Sequence, residues 1–116
     1  MKYVLLLMGD YDADRCGATE DAPSAEDFIA FDAELEKAGV LAGGFGLQDP
    51  ELGVHVRRPP GRTEAVVTTG PYAEAREFVG GTIVIDVPDM DAALAWAEKC
   101  PGTRGGRVEV RPMLEL

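Results

Sequence analysis

The run from Gly81 to Val87 delivers straight into a helical stripe, and no other part of the chain constrains the fold as much. Ile83, Ile85 and Val87 alternate with Thr82, Val84 and Asp86, which is the period of a strand. Pro88-Asp89 then stops the strand and opens a helix, with either residue at the cap. Ala93, Leu94, Trp96, Ala97 and Cys100 form its apolar stripe, and Pro101-Gly102 ends it. A strand feeding a helix in this way needs a sheet on which that helix can lie.

The opening segment, Lys2 to Met8, is apolar at both alternating sets of positions. A strand of this kind needs cover above and below, so it belongs at the centre of a sheet. After an acidic stretch, Ser24 with Asp27 forms a capping-box pattern ahead of Phe28, Phe31, Leu35 and Ala38, with Gly39 as the C-terminal stop. Val40 to Leu47 reads as a second strand in which Gly43, Gly44 and Gly46 imply a bulge or a close backbone approach. Val54–Arg57 and Glu64–Thr68 flank Pro59-Pro60-Gly61 as a hairpin expected to extend the sheet. Glu74, Arg76 and Glu77 read as a short solvated helix, and Arg107 to Met113 as the last strand, with Val108, Val110 and Pro112 on one face.

The order strand, helix, strand, hairpin, strand, helix, strand predicts an α+β fold of the split βαβ kind, ferredoxin-like βαββαβ with an extra hairpin. With 116 residues the chain has room for one domain over 1–116 and one core. Two helices clothe only one side of a sheet, and the other side still carries half of the first strand and Val84. A homodimer pairing two such sheets is therefore expected.

Charge narrows the partners. Eleven basic residues face 21 acidic ones, a net −10, so nucleic acid and anionic membrane surfaces are not expected partners. No run approaches membrane-spanning length, and the apolar opening is shorter than a signal-peptide core, so the cytoplasm is the expected location. Cys16 and Cys100 lie far apart without the paired spacing of a zinc site or disulfide framework. Asp10, Asp12 and Asp14 begin like a calcium loop, but Arg15 stands where that loop needs glycine, so no metal is expected.

Several segments together resemble the YCII-related, DGPF-motif family. They are Val67 to Glu74, Gly80-Gly81, Ile85-Asp86-Val87, the helix around Trp96 and the ending Val108 to Pro112. Met1-Lys2-Tyr3 with Gly9-Asp10, and Ala38 to Leu41 with Gly46-Leu47, fit it as well. The resemblance implies a ferredoxin-like subunit in a dimeric α/β barrel and no settled activity. Some members are similar to small lyases or dehydrochlorinases that use no organic cofactor, and some occur with alternative sigma factors. Shorter members carry a proposed catalytic His and Asp. This chain has Thr69-Gly70-Pro71-Tyr72 where the motif reads Asp-Gly-Pro-Phe, and its first helix holds no histidine.

Candidate chemistry rests on few residues. His55, the single histidine, could act as a general base oriented by Asp86 or Asp10, or could simply lie on a wet hairpin face. Asp86, between apolar neighbours, is a candidate proton-transfer group or the partner of Arg111 or Arg57 in an ion pair. Thr69 and Tyr72 at the motif turn, with Arg57 and Arg111, are candidate ligand contacts, Tyr72 serving alternatively as a core ring. Cys100 and Trp96 read as core, Trp96 as an anchor of helix on sheet. Two functions are consistent with these residues: proton transfer or elimination on a small molecule without cofactor, or non-catalytic ligand binding or interaction with a transcription regulator.

Overall fold

The computed structural model describes residues 1–10, 22–70 and 76–115. Its elements run β1 Lys2–Asp10, α1 Ala25–Lys37, β2 Leu41–Gly46, β3 Val54–Arg57, β4 Val66–Thr69, β5 Glu77–Asp86, α2 Met90–Lys99 and β6 Arg107–Pro112. Short 3-10 turns at Pro50–Leu52 and Pro101–Thr103 complete them. Strands β2, β5, β1 and β6 form one antiparallel sheet in that order, with β1 and β5 at its centre. Without the β3–β4 hairpin this is the order of a ferredoxin-like sheet, and the chain has the α+β architecture that its element order implies.

The register explains why β1 is apolar on both sides. Tyr3 lies opposite Ile85 and Leu5 opposite Ile83 and Val110, and these side chains meet the helices. Val4 opposite Val84 and Leu6 opposite Thr82 point to the other side. On the helix side Tyr3, Leu5, Ile83 and Ile85 are at most 5% exposed and pack with Phe31 and Leu35 of α1 and Ala93, Ala97 and Cys100 of α2. The two alanines leave no bulk between α2 and the strands, so the helix lies close.

Both helices begin as their sequences dictate. Ser24 caps α1 in a complete capping box with Asp27, and the Asp89 carboxylate accepts from the Ala92 N–H at 2.9 Å. Gly39, at φ 74°, follows α1 in the left-handed region that only glycine adopts without strain.

Four readings are corrected. The hairpin does not extend the sheet: among the described residues β3 and β4 pair only with each other, and every residue of both is exposed. Glu77 belongs to β5, not to a short helix, while Glu74 lies outside the described residues, as do Asp12, Asp14, Arg15, Cys16 and Tyr72. Leu94 is 44% exposed and so falls off the α2 stripe. Trp96 packs edge-on against Phe31 at 6.5 Å between ring centroids, with the Lys99 ammonium 5.1 Å from its ring, so it ties helix to helix.

Two bulges shape the sheet. Leu7 pairs with Gly81 but Met8 pairs with Val79, so Gly80 is an extra residue. From there the alternation of β5 is reversed: Phe78 joins Gly9 on the helix side and Val79 joins Met8 on the open side. In β2, Ala42 is extra between Leu41 and Gly43, a bulge where the glycine run implied one.

A cleft between α1 and the sheet

The N-terminal half of α1 stands over β1, β5 and β2 at the end of the sheet where the glycines gather. Between them lies a cleft of about 770 Å³. Glycine makes it possible in two ways. A Cβ at Gly44, whose φ is 150°, would come within 2.6 Å of the Thr82 carbonyl, so only glycine lets β2 approach β5 here. The Phe78 ring occupies the space a side chain at Gly9 would fill, and it thereby becomes part of the cleft floor.

Among the described residues the apolar wall comes from Leu7, Phe28, Ile29 and Phe78, and the charged groups from Asp10, Asp32 and Arg104. The lip is fixed by one carboxylate. Asp27 accepts from the Ser24 N–H at 2.9 Å and from the Arg104 guanidinium at 2.7 Å, joining the first turn of α1 to the loop after α2. The backbone hydrogen bond from Ser24 and then Arg104 hold its carboxyl below the usual carboxylate value. Cys100 borders a shallower hollow nearby, but burial pushes its thiol up, away from the reactive thiolate.

The candidate residues read from the sequence lie elsewhere. Asp86 ends β5 on the open side of the sheet, 54% exposed at its side chain, and receives the Met1 ammonium at 3.0 Å. Its neighbour is therefore the amino terminus and neither Arg111 nor Arg57. Arg111 is on β6 and pairs with Glu109. His55 and Arg57 are on β3, and Thr69 ends β4. None of these five lines the cleft, and Tyr72 lies outside the described residues. Phe28, Asp32, Phe78 and Arg104 do line it, though the sequence pointed to none of them as site residues. The Gly80-Gly81 pair was the one available signal, because a bulge there turns Phe78 inward.

The open side of the sheet carries Val4, Leu6, Met8 and Val84, all half-buried, with Phe45 62% and Val79 37% exposed. Beside Leu6, the Thr82 hydroxyl is shut off from solvent with no partner among the described residues. Along β6 the face ends in charge. Arg107 donates to Glu77 at 2.6 and 3.1 Å, lies 3.8 Å from Glu109, and Glu109 in turn pairs with Arg111.

The hydrogen bond from Arg107 holds the Glu77 carboxyl below its ordinary value. A depressed carboxylate contributes stability above its unfolded value and loses it as pH falls through the folded one. Glu77→Gln should accordingly melt below the parent protein near about pH 6, with the difference vanishing towards about pH 3. Thermal melts across that range check this, and a pH-independent difference would contradict it.

Among the described residues no group of His, Cys, Asp or Glu is arranged to hold a metal ion, and no helix is long and apolar enough to cross a membrane. No curated protein matches the sequence. The profile of the YCII-related domain matches residues 1–116, the full length of the chain. The order of the sheet, the two helices on one side and this match together make the chain a member of the YCII-related domain family.

Proposed function

We propose that the chain is a homodimeric small-molecule-binding domain whose cleft takes a flat, mostly apolar ligand bearing a polar group. One observation carries the reading. Phe28 and Phe78 with Leu7 and Ile29 wall a cleft of about 770 Å³ whose charged groups among the described residues are few, Asp10, Asp32 and Arg104, to orient a ligand. Pockets for small organic molecules have this balance of apolar wall and sparse polar contacts. The dimer follows from the open side of the sheet, where Val4, Leu6, Met8, Val84 and Phe45 are apolar and uncovered by either helix.

A second reading, proton transfer or elimination on the bound molecule, is favoured by the carboxylates of Asp10 and Asp32 against those aromatic walls. Asp86 ends β5 of the four-stranded sheet and His55 lies in the β3–β4 hairpin, and neither lines this cleft. A role for either group would have to be a separate one.

The test uses 8-anilinonaphthalene-1-sulfonate, an aromatic anion, as the probe. Ile29 lines the cleft yet is 67% exposed, so Ile29→Trp narrows the mouth without touching the core. The protein should enhance the dye's fluorescence saturably, and Ile29→Trp should weaken binding at least about fivefold, corresponding to about 1 kcal/mol. Equal binding by parent and variant would contradict the cleft as the ligand site.

A further inference from the structure

We propose that the β3–β4 hairpin is an arm that grips a second copy of this chain, an inference that rests on the homodimer reading above. The arm stands out from the body of the described residues. Its strands pair only with each other, and from Glu51 to Thr69 every residue except Pro59 is exposed. An isolated two-stranded hairpin is marginal in water. The molecule is broad and thin: the radius of gyration is 16.3 Å against about 13 Å for a compact domain of this length, and the extents are 48 × 41 × 19 Å.

The two faces of the arm indicate what covers it. Val54 and Val56 lie opposite Thr69 and Val67, and the three valines are 56%, 65% and 62% exposed, forming an exposed apolar stripe. Arg57, Arg58 and Arg62 make no ion pair among the described residues. With Glu64 as the single acidic residue from Val54 to Thr69, that segment carries +2 (three Arg, one Glu), in a chain whose total is −10. A basic arm on an acidic body is complementary to another acidic body, and a second copy supplies one.

Area points the same way. Four strands about 4.8 Å apart, each with about six residues rising about 3.3 Å, give the open face a footprint of roughly 400 Å² per copy. Stable pairs bury roughly 800 Å² of accessible surface per partner, so a face with so small a footprint gains from the further surface that the arm adds. The root of the arm is closed by its own backbone: the Gly70 N–H donates to the Gly53 carbonyl at 2.8 Å, and Gly70 has a φ of 80° that favours glycine. This root is where Thr69-Gly70 begins the segment corresponding to the family motif.

Sedimentation equilibrium of the full chain tests the arm, using Val56→Thr/Val67→Thr, which keeps strand-forming residues, and Arg57→Glu/Arg58→Glu beside the parent. All four positions are exposed, so circular dichroism should be unchanged. Each double variant should raise the dimer Kd at least about tenfold, and the arginine variant should also flatten the dependence of Kd on salt. A dimer whose Kd neither variant changes would overturn the arm while leaving the dimer standing. A parent protein that is wholly monomeric would instead overturn the homodimer reading and the arm with it. Salt-sensitive binding of DNA by the parent, lost in the arginine variant while the dimer Kd is unchanged, would also overturn it and reassign the arginines to nucleic acid.

Discussion

Leu6→Glu is expected to turn the dimer into a monomer. Leu6 sits in mid-β1 on the open side, opposite Thr82 of β5 and Glu109 of β6. In a single copy it is half-buried, so a carboxylate at that position reaches water and the fold persists. In a sheet-to-sheet pair the same carboxylate would be shut in, and an unpaired charge of this kind costs several kcal/mol. The dimer Kd should rise by at least about a hundredfold, corresponding to about 2.7 kcal/mol, with an unchanged far-ultraviolet spectrum. A variant that associates as tightly as the parent would show that this side of the sheet is not the interface.

The neighbouring residue should behave in the opposite way. Leu5 is 0% exposed and lies between Ile83 and Val110 under both helices. Leu5→Ala removes three carbons from a place where sheet and helices cannot easily collapse, and should cost about 2–5 kcal/mol. In a domain of this size that lowers Tm by on the order of 10–20 °C. Thermal or urea unfolding measures it, and a loss under about 1 kcal/mol would place the core elsewhere. Leu5 and Leu6 are chemically identical and adjacent, so the contrast between stability and association separates the two sides of one strand.

That contrast was legible in the sequence because the strand period is two and β1 is apolar at every position from Tyr3 to Met8. The helix starts were equally legible, since Ser24 with Asp27 and Asp89 supply cap acceptors that local chemistry requires. The hairpin was found as a hairpin but assigned to the wrong sheet. Alternation in Val54–Arg57 states that a strand forms and says nothing about its neighbour. Glu77 was misread because acidic and basic residues spaced as in Glu74 to Glu77 suit an exposed helix. The pairing of Glu77 with Asp10 and of Phe78 with Gly9 puts Glu77 in a strand.

The cleft was least legible for a physical reason. Phe28 and Phe78 come from a helix and a strand far apart in sequence, and each alone reads as core or surface. Asp86 misled in the other direction. Its apolar neighbours suggested a shielded carboxylate, whereas it ends its strand in solvent beside the Met1 ammonium, a partner no side-chain pattern announces.

The central claim is that a second copy covers the side of the sheet left bare by α1 and α2. Sedimentation equilibrium of the parent protein at low micromolar concentration tests it most directly. The account predicts a mass twice the 12.4 kDa of the chain. A single species at the chain mass, unchanged on raising the concentration tenfold, would contradict it.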